Sequence, residues 1–356
     1  MRNTLLFLGK TNSRRTRGDD GVILKNRIFF DSVRQYFGRS NVVDLDTVRQ
    51  PATLLNLLLA LWSWRYRTIV VASGGSVPSC QFVSLVQRIT PPIWFGYAKL
   101  YILGLGGNMH LYLRDNPKGV AAMKRSEAVL AEGKQMKKDM EAMGISPVYY
   151  MPNFKNIVAL PEKKRKTGEG RMRFLFFSRI NPAKGCDLIF EAIEVLLSRG
   201  LGERFEVGFY GMMLEDYREE FEGKIKRYGI NASYHGVLDG TDTRSHEMLA
   251  SYDAFLFPTY WNDEGFPAAI VDAFIAGLPV IASDWNCNGE LIRDGENGFL
   301  IPPKDSKALA EKMEWLICHP EFIKSRAASI QEEALQYDTK HVIRRDFLMT
   351  IGMIRR

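Results

Sequence analysis

Tyr252–Pro303 reads YDAFLFPTYWNDEGFPAAIVDAFIAGLPVIASDWNCNGELIRDGENGFLIPP. Ala254–Phe257 is a short apolar run stopped by Pro258, which predicts a strand buried on both faces of a parallel sheet. Glu264-Gly265-Phe266-Pro267 then turns the chain into a helix. Pro267 suits the first helical position, where its missing N–H costs no hydrogen bond. Pro279–Ala282 is a second apolar strand, so strand, loop, helix and strand follow in the order of a layered α/β fold. In such sheets ligands bind at the carboxyl ends of the strands. The N–H groups from Gly265 to Ala269 sit at the helix start, where unpaired donors and the helix dipole favour a diphosphate. Gly265 lets a ligand approach the backbone closely. Glu264 and Asp272 bracket this anion site, about 12 Å apart along the axis if the whole segment is helical. That separation suits one carboxylate for the hydroxyls of a sugar and the other for those of a ribose. Taken singly, Glu264 reads equally as a helix cap and Asp272 as a solvent-facing helix residue.

The same alternation runs outward through the chain. Thr4–Leu8, Asn41–Leu45, Thr68–Ala72 and Ala128–Ala131 read as strands, and Val22–Tyr36, Ala52–Arg67 and Lys134–Met143 as helices. Pro152-Asn153 and the charged stretch Glu162–Gly170 interrupt the rhythm. It restarts with strands at Phe174–Phe177, Phe205–Tyr210 and Tyr234–Gly236 and a helix at Asp187–Arg199. A chain of 356 residues accommodates two such domains.

A second loop follows the strand Phe174–Phe177: Ser178-Arg179-Ile180-Asn181-Pro182-Ala183-Lys184-Gly185-Cys186-Asp187. Arg179 offers a fork for phosphate oxygens and Lys184 a point charge. Fixed cations of this kind neutralise a leaving diphosphate where no metal does so. Gly211 and Gly236 end further strands, at the edge where a nucleotide base is expected.

Composition bounds the function. Hydrophobic residues make up 46% and charged residues 25%, the balance of a folded globular chain. The four cysteines, Cys80, Cys186, Cys287 and Cys318, form no C-x-x-C pair and no metal knuckle, so reduced thiols in a cytoplasmic protein are expected. The N-terminus, MRNTLLFLGK, reads as a buried strand and not as a signal peptide. The apolar run Leu54–Trp62 is shorter than the roughly 20 residues needed to span a bilayer. Neither a Walker-type loop nor a G-x-G-x-x-G loop occurs, and no metal-ligand cluster is visible. Charge is uneven: residues 1–160 carry 22 Lys/Arg and 10 Asp/Glu, and the remainder 26 and 31. The basic half points to an anionic partner, namely a phospholipid surface or a phosphate-bearing acceptor, or else is a solvated basic face. Nucleic acid is not expected, because no recognition motif accompanies the charge. Leu54–Trp64, followed by Arg65 and Arg67, reads either as a buried helix or as a segment lying in a lipid interface.

Taken together, the motifs resemble the donor site of retaining GT-B glycosyltransferases of family four, glycosyl transferases group 1, of the bacterial surface-polysaccharide type. That family carries a Glu, seven residues, then a second Glu; Glu264–Ala273 here is EGFPAAIVDA, with Asp272 in the second place. The family pattern continues in Ala276–Ser283 (AGLPVIAS) and Glu290–Leu300 (ELIRDGENGFL), and Arg179–Gly185 is similar to its R-x-x-x-x-K-G loop. The resemblance implies a GT-B fold, two Rossmann-like parallel-sheet domains facing across a cleft. The expected organisation is an acceptor-binding domain over 1–155, a nucleotide-sugar-binding domain over 172–335, and a C-terminal helix over 336–356 that returns to the first domain. It also implies catalytic roles for Glu264, Lys184 and Arg179. Donor binding falls to Gly265, Phe266, Pro267, Asp272, Gly211 and Gly21, the last in a glycine loop, Gly9–Gly21, beneath the donor phosphates. Arg14, Arg15 and Arg17 in that loop, with His110 in Gly104–His110, are the acceptor-side candidates; His110 reads equally as a structural residue. No cofactor and no metal are expected beyond the nucleotide-sugar, for which UDP is the expected nucleotide. The acceptor is expected to be a glycan or a lipid-linked saccharide, reached from the cytoplasm with peripheral contact to an anionic membrane. Alanine at Glu264 or Lys184 is expected to cut turnover and leave the fold intact. The rival readings are a sugar-nucleotide epimerase of the same fold and a non-catalytic partner subunit, for which Asp272 is the one sequence argument.

Overall fold

The computed structural model describes residues 4–11, 21–47, 51–74, 76–162, 170–238 and 243–354. Two compact units emerge, one of residues 1–156 with 338–356 and the other of residues 157–337.

The first unit holds β1 (Leu5–Gly9), β2 (Val42–Asp46), β3 (Thr68–Gly74), β4 (Lys99–Leu105), β5 (Ala128–Ala131) and β6 (Val148–Tyr150). They form one sheet in the order β2-β1-β3-β4-β5-β6, with every pairing parallel. Its helices are α1 (Gly21–Phe37), α2 (Pro51–Trp62), α3 (Val77–Ile89), α4 (Pro91–Trp94), α5 (Met109–Arg114), α6 (Pro117–Lys124) and α7 (Lys134–Ala142). The second unit holds β7 (Met172–Phe177), β8 (Phe205–Tyr210), β9 (Ala232–Tyr234), β10 (Ala254–Phe257), β11 (Val280–Ser283) and β12 (Gly298–Ile301), in the order β12-β11-β10-β7-β8-β9 and again all parallel. Its helices are α8 (Cys186–Ser198), α9 (Arg218–Tyr228), α10 (Thr243–Leu249), α11 (Ala268–Ile275), α12 (Asn288–Leu291), α13 (Ser306–Cys318) and α14 (Pro320–Ala334). The chain then returns to the first unit through α15 (Thr339–Val342) and α16 (Arg345–Thr350).

Helices cover both faces of each sheet, which is why the strands read as unbroken apolar runs. In β10, Ala254 and Leu256 join the core beneath α8 and α13, while Phe255 and Phe257 join the one beneath α11. In β1, Leu6 and Leu8 face the core under α2 and α3, and Leu5 and Phe7 the core under α1 and the C-terminal segment. The period of two that separates these faces is hidden when both are buried.

Four expectations change. The strand expected over Tyr234–Gly236 lies at Ala232–Tyr234, so Gly236 falls two residues beyond its end. The helix expected over Ala52–Arg67 ends at Trp62, because the chain turns there to enter β3, with the N–H of Arg67 donating to the carbonyl of Thr4. The single C-terminal helix expected over 336–356 is two short helices. Extended backbone at Arg344 separates them, and the Tyr36 hydroxyl of α1 donates to the Ile343 carbonyl at 2.9 Å in place of a helical N–H. Pro267 is the residue before α11 and not its first, with an extended ψ of 105°. The segment from Glu264 to Pro267 is therefore not helical, and the 12 Å axial estimate loses its premise. The strands β4, β6 and β12 were not marked in the sequence; each is short or carries glycine. Among the described residues no helix is long and apolar enough to cross a membrane.

Candidate functional site

The site in the second unit is built from the carboxyl ends of β7, β8 and β10. After β7, Asn181 caps a single helical turn over Pro182–Lys184, its side chain accepting from the N–H of Lys184 at 3.0 Å. Gly185 follows with φ +88°, and a Cβ placed there would lie 2.3 Å from the Pro258 carbonyl oxygen. Only glycine permits both the left-handed backbone and this approach. The loop after β10 is thereby drawn against the loop after β7, and the N–H of Tyr260 donates to the Ala183 carbonyl at 2.9 Å.

That apposition brings Lys184 and Glu264 together. Lys184 Nζ donates to Glu264 Oε2 at 2.5 Å, and the Thr259 hydroxyl donates to the same oxygen at 3.0 Å. Both charged side chains are buried. A buried ion pair needs this close geometry, with added hydrogen bonds, to offset the loss of water. Trp261 lies over the pair: the Arg179 guanidinium is 5.2 Å and Lys184 Nζ 5.9 Å from its ring. Arg179 itself is exposed. The loop carrying Glu264 is held from β11's side, since Trp285 Nε1 donates to the Trp261 carbonyl at 2.9 Å and Asn286 Nδ2 to the Glu264 carbonyl at 3.0 Å. Asn286 adopts φ +48°, a conformation asparagine tolerates better than most residues.

Gly265 is half-buried, whereas Phe266 turns its ring into the core against Tyr337. The Phe266 side chain is thus taken up by packing, and Pro267 has no N–H to give. Asp272 is buried on α11 and bonds His246 of α10, Nε2 to Oδ1 at 2.9 Å. Gly211 follows β8 with φ +145°; a Cβ there would fall 1.7 Å from the Ser178 carbonyl oxygen, and its N–H donates to the Gly236 carbonyl at 2.8 Å. His235, next to Gly236, stacks on Tyr210 at 4.9 Å. Desolvation, helped by the charge of Arg173, lowers its pKa from the ordinary histidine value.

In the first unit Gly21 opens α1, and a Cβ there would meet nothing within 4 Å, so packing does not demand glycine at that point. His110 lies on α5 with Nε2 3.5 Å from Asp139 Oδ2 of α7, the carboxylate that Arg114 also holds at 2.7 Å. Arg14, Arg15, Arg17 and Gly18 lie outside the described residues.

Sequence reasoning missed several participants. Trp261, Thr259, Asn286 and His246 carry no motif signal of their own. A second buried pair, Lys25 with Glu132 at 2.5 Å, sits at the carboxyl edge of the first sheet, where Glu132 also accepts from the N–H of Gly106 at 3.2 Å. Lys25 could have been flagged as a charge on the apolar face of α1, but its partner is 107 positions away.

Comparison with known proteins gives this arrangement a setting. The family described as Glycosyl transferases group 1 matches residues 160–335. The phosphatidyl-myo-inositol mannosyltransferase of Mycobacterium leprae is 28% identical over 202 residues, covering 56% of this chain and 52% of that one. The amylovoran biosynthesis glycosyltransferase AmsK of Erwinia amylovora is 26% identical over 147 residues, 39% of this chain and 34% of that one. These matches span about half or less of the relatives' lengths. Among solved structures, Anabaena HepE in complex with UDP superposes with a TM-score of 0.73 at 17% identity, over 99% of this chain and 100% of that one, a likeness of fold.

Proposed function

We propose that this chain, whose residues 160–335 belong to the glycosyl transferases group 1 family, is a retaining glycosyltransferase that moves a sugar from a UDP-linked donor to a glycan or lipid-linked acceptor in surface polysaccharide synthesis. The observation that carries the reading is the buried Lys184–Glu264 pair, set by two βα loops at the carboxyl edge of a parallel sheet beside the exposed Arg179. Ligands of open α/β sheets bind at that edge.

In this reading Arg179 and Lys184 face the diphosphate and stabilise the charge that develops as it leaves. Glu264, held by Lys184 and Thr259, takes the hydroxyls of the transferred sugar. Backbone N–H groups of Gly265, Phe266 and the start of α11 meet phosphate oxygens. Asp272 takes the ribose, with His246 fixing its orientation. The departing phosphate helps deprotonate the acceptor, so no protein base is assigned, and the fixed cations stand where a metal would otherwise serve. UDP is favoured because HepE was crystallised with it. The basic first half supports a position on the cytoplasmic face of an anionic membrane, where a lipid-linked acceptor would be met.

The test is a thermal-shift series with nucleotide-sugars on the full chain, since a ligand that binds only the folded state raises its melting temperature. A UDP-sugar is expected to stabilise the protein and to be consumed with retention of configuration when acceptor is supplied. No shift with any nucleotide-sugar would sink the reading. Asp272, standing where the family pattern has Glu, supports a second reading, a non-catalytic partner subunit. Donor stabilisation without hydrolysis or transfer would select it.

A further inference from the structure

The helix α2 has the sequence PATLLNLLLALW and not one charged residue. Its apolar residues divide into two faces at helical spacing. Leu57 and Leu61 point into the core of the first unit, Leu61 with 1% of its surface exposed. Leu55, Leu58, Leu59 and Trp62, at i, i+3, i+4 and i+7, form the opposite stripe and face solvent, Leu59 at 63%. A helix apolar on both faces is normally covered on both. The exposed stripe continues past the helix end. Trp64 packs on Phe95, ring centroids 5.9 Å apart, and on Tyr97 at 5.2 Å. Phe95 is 75% exposed, and its neighbour Trp94 is exposed as well. The leucine-rich segment that ends in Trp64 and the aromatic segment Trp94–Tyr97, about thirty residues on in the chain, thus touch through Trp64 and together expose more apolar side chains than the single ones a surface ordinarily carries.

The rim of the patch is basic. Arg67 lies 4.1 Å from the Tyr97 ring, and Arg65 donates to the Ser40 carbonyl at 3.1 Å. Beyond Trp94 the surface sinks into an open depression of about 670 Å³ lined by Gln87, Arg88, Ile93, Trp94 and Arg125. Gln87 organises it: its backbone carbonyl accepts from Trp94 Nε1 at 2.7 Å, and its side-chain oxygen accepts from Arg125 Nε and Nη2 at 3.3 and 3.2 Å. Between Asp46 and Asp115 the chain has no Asp or Glu at all, although Arg49, Arg65, Arg67, Arg88, Lys99 and Arg114 fall within that stretch.

We infer that this patch is the surface by which the protein lies on an anionic phospholipid bilayer, with the Arg88–Arg125 depression receiving a lipid phosphate. The inference rests on the peripheral reading above and names its surface. Leucines of the α2 stripe enter the acyl boundary, and tryptophans with one apolar and one polar edge sit at headgroup depth. The arginines meet phosphates; each basic group near an anionic surface strengthens attachment severalfold. Arg65, Arg67, Arg88 and Arg125 beside the patch suit this occupant, because their fixed positive charges attract headgroup phosphates, whereas Lys99 and Arg114 are paired with Glu127 and Asp139.

The test is co-sedimentation of the full chain with vesicles of phosphatidylcholine alone and with phosphatidylglycerol added. The wild type is expected to bind the anionic vesicles and to leave the neutral ones. Leu59→Ser/Trp62→Ser/Phe95→Ser is expected to weaken partition by about a hundredfold from lost apolar burial. Arg88→Glu/Arg125→Glu is expected to weaken it by about tenfold or more. All five positions are on the surface, and an unchanged melting temperature with an unchanged UDP-sugar shift establishes that each variant is folded. Variants that bind as the wild type does overturn this surface and leave the peripheral reading standing. A wild type that ignores anionic vesicles overturns both, while its UDP-sugar shift keeps the donor reading separate. A dimer in solution that the triple variant dissolves, without vesicle binding, gives the face to a second copy and overturns the proposal.

Discussion

Lys184 and Glu264 are eighty positions apart in the chain and 2.5 Å apart in space, Nζ to Oε2, with both side chains buried. Sequence reasoning treated them as separate contacts to one ligand and expected alanine at either to leave the fold intact. The pairing changes that expectation. Removing one member strands the other as a buried, uncompensated charge, at a cost of about 3–5 kcal/mol. Urea unfolding of Lys184→Ala and of Glu264→Ala should each show a loss of this order. Lys184→Met/Glu264→Gln, which removes both charges, should lose less than the two single changes combined. Turnover should fall by about a hundredfold or more in all three, measured below their melting temperatures. Near-normal transfer by both single variants would end the donor-site assignment.

Three glycines separate geometry from composition. Alanine at Gly185 meets the Pro258 carbonyl at 2.3 Å, and alanine at Gly211 meets that of Ser178 at 1.7 Å; both also need positive φ. Each should destabilise by more than about 1 kcal/mol. Alanine at Gly21 meets nothing within 4 Å and should stay within about 0.5 kcal/mol of the wild type. Denaturant midpoints order the three, and a Gly185→Ala protein as stable as the wild type would refute the close approach that sets Lys184 against Glu264.

Asp272 and His246 should behave as a unit. Asp272→Glu restores the family's usual residue but adds a methylene in a filled space, at a cost of about 1–3 kcal/mol. His246→Ala makes room there, and the double variant should recover part of that cost. A double-mutant cycle on unfolding free energy should give a coupling above about 0.5 kcal/mol. Strict additivity would mean that the two side chains do not share the contact.

Thiol chemistry should follow burial. Burial pushes the Cys80 thiol up to about 11, and Cys186 higher still. The reactive species is the thiolate, so a thiol held that high stays protonated and unreactive at pH 8 and begins to ionise only as the pH approaches its raised value. Cys318 is exposed. Mass spectrometry after brief alkylation at pH 8 should find the label on Cys318 and not on Cys80 or Cys186. Rapid labelling of Cys80 in the folded protein would contradict its burial on the inner face of α3, in one core with Leu57 and Leu61 of α2.

Much of the α/β layering was legible in the sequence. Ala254–Phe257 and Ala128–Ala131 were bounded to the residue, because unbroken apolar runs between prolines, glycines and charges are what doubly covered strands look like. Where it failed, a local signal was overruled from a distance. The C-terminal helix breaks where Tyr36 reaches the Ile343 carbonyl, and the helix after Ala52 stops where the chain turns beside Thr4 into β3. At the site, Glu264, Gly265, Lys184 and Arg179 stood out by type and spacing, whereas Thr259, Trp261, Asn286 and His246 did not, since nothing in their own neighbourhoods marks what they touch.

By itself the sequence determined the parallel α/β class, the two loops that carry charge at strand ends, and the substitution of Asp272 for the family's glutamate. These are local properties, set by side-chain period, by backbone freedom at glycine and proline, and by chemical type. Only the tertiary structure decided that Lys184 bonds Glu264, that His246 bonds Asp272, that α2 leaves its second apolar face exposed, and that Trp64 packs on Phe95. Each of these depends on strand order and on which loops the sheet brings side by side, and a contact between segments eighty residues apart leaves no period or motif in either one.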